Sequence, residues 1–333
     1  MNKTLHVTNP YVKHTPESSF LFSIIGDIPT ADEWICSELL SMAVRKQNVH
    51  DEFSMTCNYF EECPFLHIID LRNEIAVNIL RKHFSELIID GINNEYYISA
   101  QVNVKHIKNY HNNKDFIHHI HIYGYDDDNS RVYIADHFEN GYFSFETCSF
   151  NEINKSRDIV NTNIAFVKLK NDTRYVLTKE KLNEKINEHV NGENLFYKYN
   201  VSVFPDPDSQ IEDYYFGIKF YDCLIDILDS GRFPYIRPVV LIFEHVKIIG
   251  MLLAIIERKY SANMNELKSK YNKLKEKTEI LKNVCIKINM INEFNDGDYN
   301  ILKDLSQRNA LIELIYEIKN RELYIFDMIC GTL

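Results

Sequence analysis

No stretch of this chain is apolar for long enough to span a bilayer without interruption. The nearest, Val239–Ile256, is broken by Glu244, His245 and Lys247, so a membrane-spanning protein is not expected. Positive charge is also short: 37 Lys and Arg stand against 48 Asp and Glu, a formal net charge of −11. Binding to a phosphate backbone or to anionic lipid needs a basic surface, so the charge argues against nucleic acid and membrane alike as partners. The opening residues, Met1-Asn2-Lys3-Thr4-Leu5-His6, lack the apolar core of a secretory signal. The seven cysteines (Cys36, Cys57, Cys63, Cys148, Cys223, Cys285, Cys330) are scattered and odd in number. That pattern fits reduced thiols in a cytoplasm, not a disulfide framework. Glycine and proline are scarce, 10 and 8, and neither a low-complexity tract nor an internal repeat occurs. What is present is core-forming material, 45% hydrophobic and 13% aromatic over 333 residues, enough for one large domain or two smaller ones.

Periodicity divides the chain near residue 178. Before it, Ser18–Gly26 and Asp32–Arg45 read as helices, with Leu39, Leu40 and Ala43 at helical spacing. Glu74–His83 reads as a third. Tyr96–Val104, Tyr142–Glu146 and Asn163–Leu169 read as strands, and Asn151–Val160 as a helix or turn. After it come long helical stretches: Lys179–Val190, Tyr214–Asp229, Val239–Tyr260, Asn263–Ile291 and Tyr299–Arg321. Asn265–Lys282 is strongly charged with widely spaced leucines and reads as an exposed helix. The expected class is α+β, with a mostly antiparallel sheet in residues 1–178 and an extended helical half, 179–333, packed on it.

Residues 118–138 carry the chemistry. His118–Tyr123 alternates like a strand, Asp126–Ser130 is a run of residues that bond their own backbone in turns, and Arg131–Ala135 is a second strand delivering Asp136. The start of one hairpin strand lies beside the end of the other. His118 and Asp136 are therefore placed as a general base and the carboxylate that orients it. His119 and His121 fall on one strand face and suit zinc with a third ligand, but no companion motif is present and solvated histidines are the simpler reading. The Asp126–Asp128 run lacks the spaced Gly and terminal Glu of a calcium loop. Glu244 and His245, inside an apolar helix, read as an interior ion pair or hydrogen bond.

The spacing of His118 six residues before Gly124-Tyr125-Asp126, followed by Tyr133-Ile134-Ala135-Asp136, resembles the His-Asp half of papain-like cysteine enzymes. The closer resemblance is to the butirosin-type acyltransferases and closthioamide amide synthase-like proteins of bacterial peptide natural-product biosynthesis. Phe216-Gly217-Ile218-Lys219-Phe220-Tyr221-Asp222 and Phe243-Glu244-His245-Val246-Lys247 look like two further segments of that family. The resemblance spans roughly residues 15–260. It implies a papain-like fold and amide-bond formation from an acyl thioester, borne on the phosphopantetheine arm of an acyl or peptidyl carrier protein, with a small amine as acceptor. No bound cofactor or metal is implied.

The family's nucleophile has no unambiguous counterpart. A thiolate is expected at a helix N-terminus, where the dipole and an imidazolium lower the thiol pKa. Alignment on the first helix points to Pro16–Ser19, with Ser18 and Ser19 the hydroxyls there; alignment on bacteriocin-processing peptidases points to Cys36. Ser18 is favoured, because Pro16 and Glu17 suit a first helical turn and the dipole's positive end stabilises an oxyanion. Cys36 lies within a helix, where a buried cysteine acts as a small hydrophobe. Loss of chemistry, leaving a binding protein on the same scaffold, and a thioester or peptide hydrolase are the alternatives.

Overall fold

The alternating middle of the chain becomes an antiparallel sheet in the computed structural model. The structure describes residues 2–13, 15–45, 53–55, 63–71, 83–138, 142–158, 164–195, 214–232, 236–260, 264–294 and 304–333. In chain order the elements begin β1 (Asn2–Thr4), α1 (Pro16–Ile25), α2 (Ala31–Glu38), β2 (Met42–Arg45), β3 (Phe53–Met55), β4 (Leu66–Leu71) and α3 (Phe84–Asn93). They continue β5 (Tyr97–Asn103), β6 (Ile117–Asp126), β7 (Arg131–His137), β8 (Phe143–Ser149), α4 (Phe150–Asp158) and β9 (Ile164–Leu169). Last come α5 (Lys179–Asn191), β10 (Tyr214–Phe216), α6 (Lys219–Asp229), α7 (Ile236–Tyr260), α8 (Asn265–Phe294) and α9 (Leu305–Thr332). The class is α+β with every described strand pair antiparallel. The sequence-predicted helix 74–83 falls almost wholly outside the described residues.

Two compact units form, Met1–Pro29 with Tyr59–Arg174, and Thr30–Asn58 with Tyr175–Leu333. The division near 178 read from the sequence lies close to Tyr175, but the second unit also takes Thr30–Asn58.

In the first unit the strands run β4-β9-β5-β6-β7-β8, with β1 pairing along β6 beyond the end of β5. There β1 comes so close that a Cβ on Gly124 would sit 2.7 Å from the Lys3 carbonyl oxygen, which is why a glycine stands mid-strand. Even-numbered positions of β5, β6 and β7 (Ile98, Ala100, Val102, Ile120, Ile122, Val132, Ile134) join Phe84, Ile88 and Ile92 of α3 and Ile153 of α4 in one apolar core. The other face is covered by α1, whose Phe20 stacks on His121 at 4.2 Å and meets Tyr97 edge-on. The start of α1 follows from its residues: Thr15 is the N-cap, Pro16 occupies the first turn, and Thr15 and Ser18 form a reciprocal capping box.

In the second unit β2 lies between β10 and β3. The long helix expected over 32–45 instead stops at Glu38 and becomes β2. Met42, Ala43 and Val44 are fully buried, and Ala43 and Val44 pair on both sides, so tertiary pairing overrides local helical spacing. Likewise 214–229 is not one helix. Gly217, at φ +54, breaks it into β10 and α6, and a Cβ there would lie 2.1 Å from the His189 carbonyl oxygen. The charged helix α8 is not simply exposed. Met264, Leu267, Leu274, Thr278, Leu281, Cys285 and Ile288 are buried at three- and four-residue steps, with one step of seven from Leu267 to Leu274, a coiled-coil-like seam against α7 and α9. Gly250 of α7 leaves the space that the Tyr271 ring of α8 enters. By length and composition α7 is apolar enough to cross a membrane, but most of it is buried within this unit, as in the core helix of many globular folds.

Candidate functional site

The hairpin register explains how His118 meets Asp136. His121 pairs with Ala135, which sets Asp136 opposite Ile120 and makes His118 its diagonal neighbour on the same face, within reach of long side chains. His118 Nε2 lies 3.2 Å from Asp136 Oδ2, with the imidazole 29% exposed and the carboxylate completely buried. Asp136 is held by further donors. Tyr110, on the short 3₁₀ turn Lys108–Tyr110, donates its hydroxyl to Oδ2, and the His137 backbone N–H reaches Oδ1 at 2.7 Å. Burial pushes the Asp136 carboxyl up, yet the hydrogen bond and charge of His118, the charge of His121 and the Tyr110 hydroxyl outweigh it and hold it below its usual range. Burial and the neighbouring Asp136 push Tyr110 well above its ordinary value, so it remains a neutral donor. The His118 ring is flanked by Phe116, stacked at 5.8 Å, and by Tyr110, edge-on at 6.1 Å. A buried carboxylate that fixes a half-exposed imidazole is the pairing a general base requires.

The other histidines of the hairpin have different surroundings. His119 Nε2 lies 3.0 Å from the Gln101 side-chain amide. His121 is completely buried under Phe20, neither ring nitrogen has a hydrogen-bond partner, and burial pulls its pKa down to about 3. The His137 Nε2 is 2.7 Å from the Lys13 carbonyl oxygen, in the segment leading to α1.

Of the nucleophile candidates, Ser18 is fully buried. Its hydroxyl accepts from the Thr15 hydroxyl at 3.0 Å and donates to the Thr15 carbonyl at 3.1 Å; the Ser19 hydroxyl donates to the same carbonyl at 2.7 Å. The helix they start, α1, lays Phe20 on His121, whose side chain alternates with that of His118 about β6. Cys36 belongs to the second unit, in α2, fully buried with its thiol directed at the Ile248 carbonyl, 3.7 Å away. Burial, then the charges of Asp32 and Glu33, push that thiol well above its ordinary value, which disfavours the thiolate.

The second unit holds a cluster that sequence reading found only in part. His189 of α5, His245 of α7 and Glu322 of α9 are all fully buried. His189 Nε2 and His245 Nε2 lie 2.6 and 3.1 Å from the same oxygen, Glu322 Oε1. Tyr221 of α6 donates to Oε2 at 2.6 Å. His245 and Tyr221 fall in the two downstream segments singled out from the sequence, and the interior pairing expected for His245 is realised with Glu322. His189 and Glu322 were missed. The available signal for Glu322 was its place on the apolar stripe Leu311, Ile315, Ile318, Ile325, Phe326 and Ile329 of α9. Nothing local marked His189 or Tyr110. No protein-family model matches the chain, and no curated protein matches it either.

Proposed function

We propose that the first unit is a papain-like acyl-transfer module in which His118 is the general base and Asp136 its orienting carboxylate. In this reading an acyl group arrives as a thioester on a carrier protein's phosphopantetheine arm and leaves as an amide with a small amine. The single observation that carries it is the 3.2 Å approach of His118 Nε2 to a fully buried Asp136. His118 takes the proton of the attacking group and returns one to the leaving thiol, and Asp136 holds the imidazole's orientation and balances its charge. Ser18 is the acyl acceptor of this reading, at the positive end of the α1 dipole. For it to serve, the Ser18 hydroxyl must leave the Thr15 carbonyl and also reach an imidazole on the opposite face of the sheet, since α1 lies on the His121 face and His118 shares the Ile120 face.

That requirement favours a second reading, a binding module on the same scaffold. The Ser18 hydroxyl is engaged by the helix cap, and burial raises the Cys36 thiol. The experiment that separates them is intact-mass analysis after incubation with an acyl-carrier thioester, on wild type and on Ser18→Ala, Ser18→Cys, Cys36→Ala and His118→Ala. Acyl transfer to added amine, lowered about 10²–10⁴-fold in His118→Ala, is the expected result. Carrier binding without adduct or amide on any form, Ser18→Cys included, would establish the binding module instead. Thioester loss without amide, unaffected by amine, would establish a hydrolase.

A further inference from the structure

We propose that His189, His245 and Glu322 form a structural site for a divalent transition-metal cation, zinc by ligand chemistry, that pins α5, α7 and α9 together. The proposal is independent of the acyl-transfer reading and concerns the second unit alone.

The donor set is the first argument. Two imidazoles and a carboxylate offer one ligand atom each, and these atoms all lie within 4.8 Å of one another. Both histidines present Nε2, and both aim it at one carboxylate oxygen. Their rings stack at 4.9 Å with planes 21° apart. Two nitrogens and an oxygen from three helices are a borderline donor set that suits zinc, with a water completing the tetrahedron; a hard cation would call for carboxylates and carbonyls.

Distance is the second. In a tetrahedral zinc site with bonds of about 2.0–2.2 Å, neighbouring ligand atoms stand about 3.3 Å apart. The observed 2.6 and 3.1 Å must each open to that separation by less than an ångström, and the two nitrogens, within 4.8 Å of one another, must come to it as well. Tyr221 is placed to steady this movement, since it bonds the other oxygen, Oε2, at 2.6 Å. Outer partners of this kind orient metal-bound carboxylates.

Charge is the third. Glu322 carries a carboxylate at zero exposure. A carboxylate taken out of water beside two imidazoles is costly unless positive charge joins it, and a cation held between them would supply that charge. The nearby buried acid Glu188 is engaged separately by Lys185. With no exposed ligand, the ion would enter during folding and its binding energy would count as folding energy.

The test uses the full chain. Protein purified or refolded with zinc is assayed for metal content, cobalt replaces zinc for visible spectroscopy, and X-ray absorption reports the ligand shell. The expected result is one metal per chain, a tetrahedral cobalt spectrum, a shell of two imidazoles and oxygen without sulfur, and a lower Tm after chelation. Glu322→Gln and His245→Asn should lose the metal, while Tyr221→Phe should keep it with weaker affinity. If a ligand variant fails to fold, the wild-type absorption shell decides. Substoichiometric metal, a sulfur-containing shell, or a folded Glu322→Gln protein that retains the ion would each overturn the proposal.

Discussion

Tyr110 and His118 share one acceptor: the hydroxyl of Tyr110 donates to Asp136 Oδ2, the same oxygen that His118 Nε2 approaches at 3.2 Å. Tyr110 therefore acts on the imidazole through the carboxylate, as a positioning residue that neutralises part of the demand on Oδ2 without competing for charge. Removing it with Tyr110→Phe leaves a buried acceptor short of one donor, a loss of about 1–3 kcal/mol. The Tyr110 hydroxyl is among the groups that lower Asp136, so its removal moves the carboxyl upward. In the proposed acyl transfer, the acid limb of the rate should shift to higher pH in Tyr110→Phe. NMR titration of Asp136 reads the same shift with no substrate present, and an unmoved titration would refute the coupling.

His121 makes the first unit sensitive to acid. Its folded-state pKa is pulled down to about 3 by burial, whereas an unfolded histidine titrates near about 6.5. Between those values the unfolded chain binds a proton that the folded one refuses, so stability falls as pH falls through that window, by up to about 1.4 kcal/mol per unit. His121→Phe removes the titration and two unpartnered ring nitrogens while keeping the stack on Phe20. Denaturation midpoints measured from neutral to acid pH should be flatter in the variant and no lower at neutral pH.

Gly217 should tolerate no side chain. Its φ of +54 lies in the left-handed region, which costs a non-glycine residue about 1–2 kcal/mol. A Cβ would also strike the His189 carbonyl oxygen at 2.1 Å. Gly217→Ala should lower the unfolding midpoint clearly, whereas Gly331→Ala, with nothing within 4 Å of its Cβ, should not. Equal midpoints for the two would count against the placement of β10 on the end of α5.

The capping box of α1 gives an independent handle on Ser18. Thr15→Ala removes the side chain that takes the Ser18 backbone N–H at 3.2 Å and should cost about 1 kcal/mol of stability. The Ser18 hydroxyl keeps its bond to the carbonyl of residue 15, which the substitution does not touch, so the yield of acyl adduct should not rise. A raised adduct yield would show that the Thr15 side chain, not the carbonyl, restrains Ser18.

Local chemistry alone determined several parts of this protein. Thr15, Pro16 and Ser18 start a helix wherever they are read, because capping involves neighbours in sequence. The turn at Asp127–Ser130 and the alternation on either side specify the hairpin that brings His118 to Asp136. Thr178 and Gly192 likewise bound α5, with Gly192 at φ +58. What tertiary structure decided is every feature whose partner is remote. Met42–Arg45 carries helical spacing but is a strand, because Tyr214–Phe216 and Phe53–Met55 supply its hydrogen bonds. The sparse leucines of α8 become a buried seam only once α7 and α9 lie against it. His189 and Glu322 meet across 133 residues of chain, and Tyr110 reaches Asp136 from a turn with no periodicity of its own. Such contacts depend on loop closure and packing, which no window of neighbouring residues encodes.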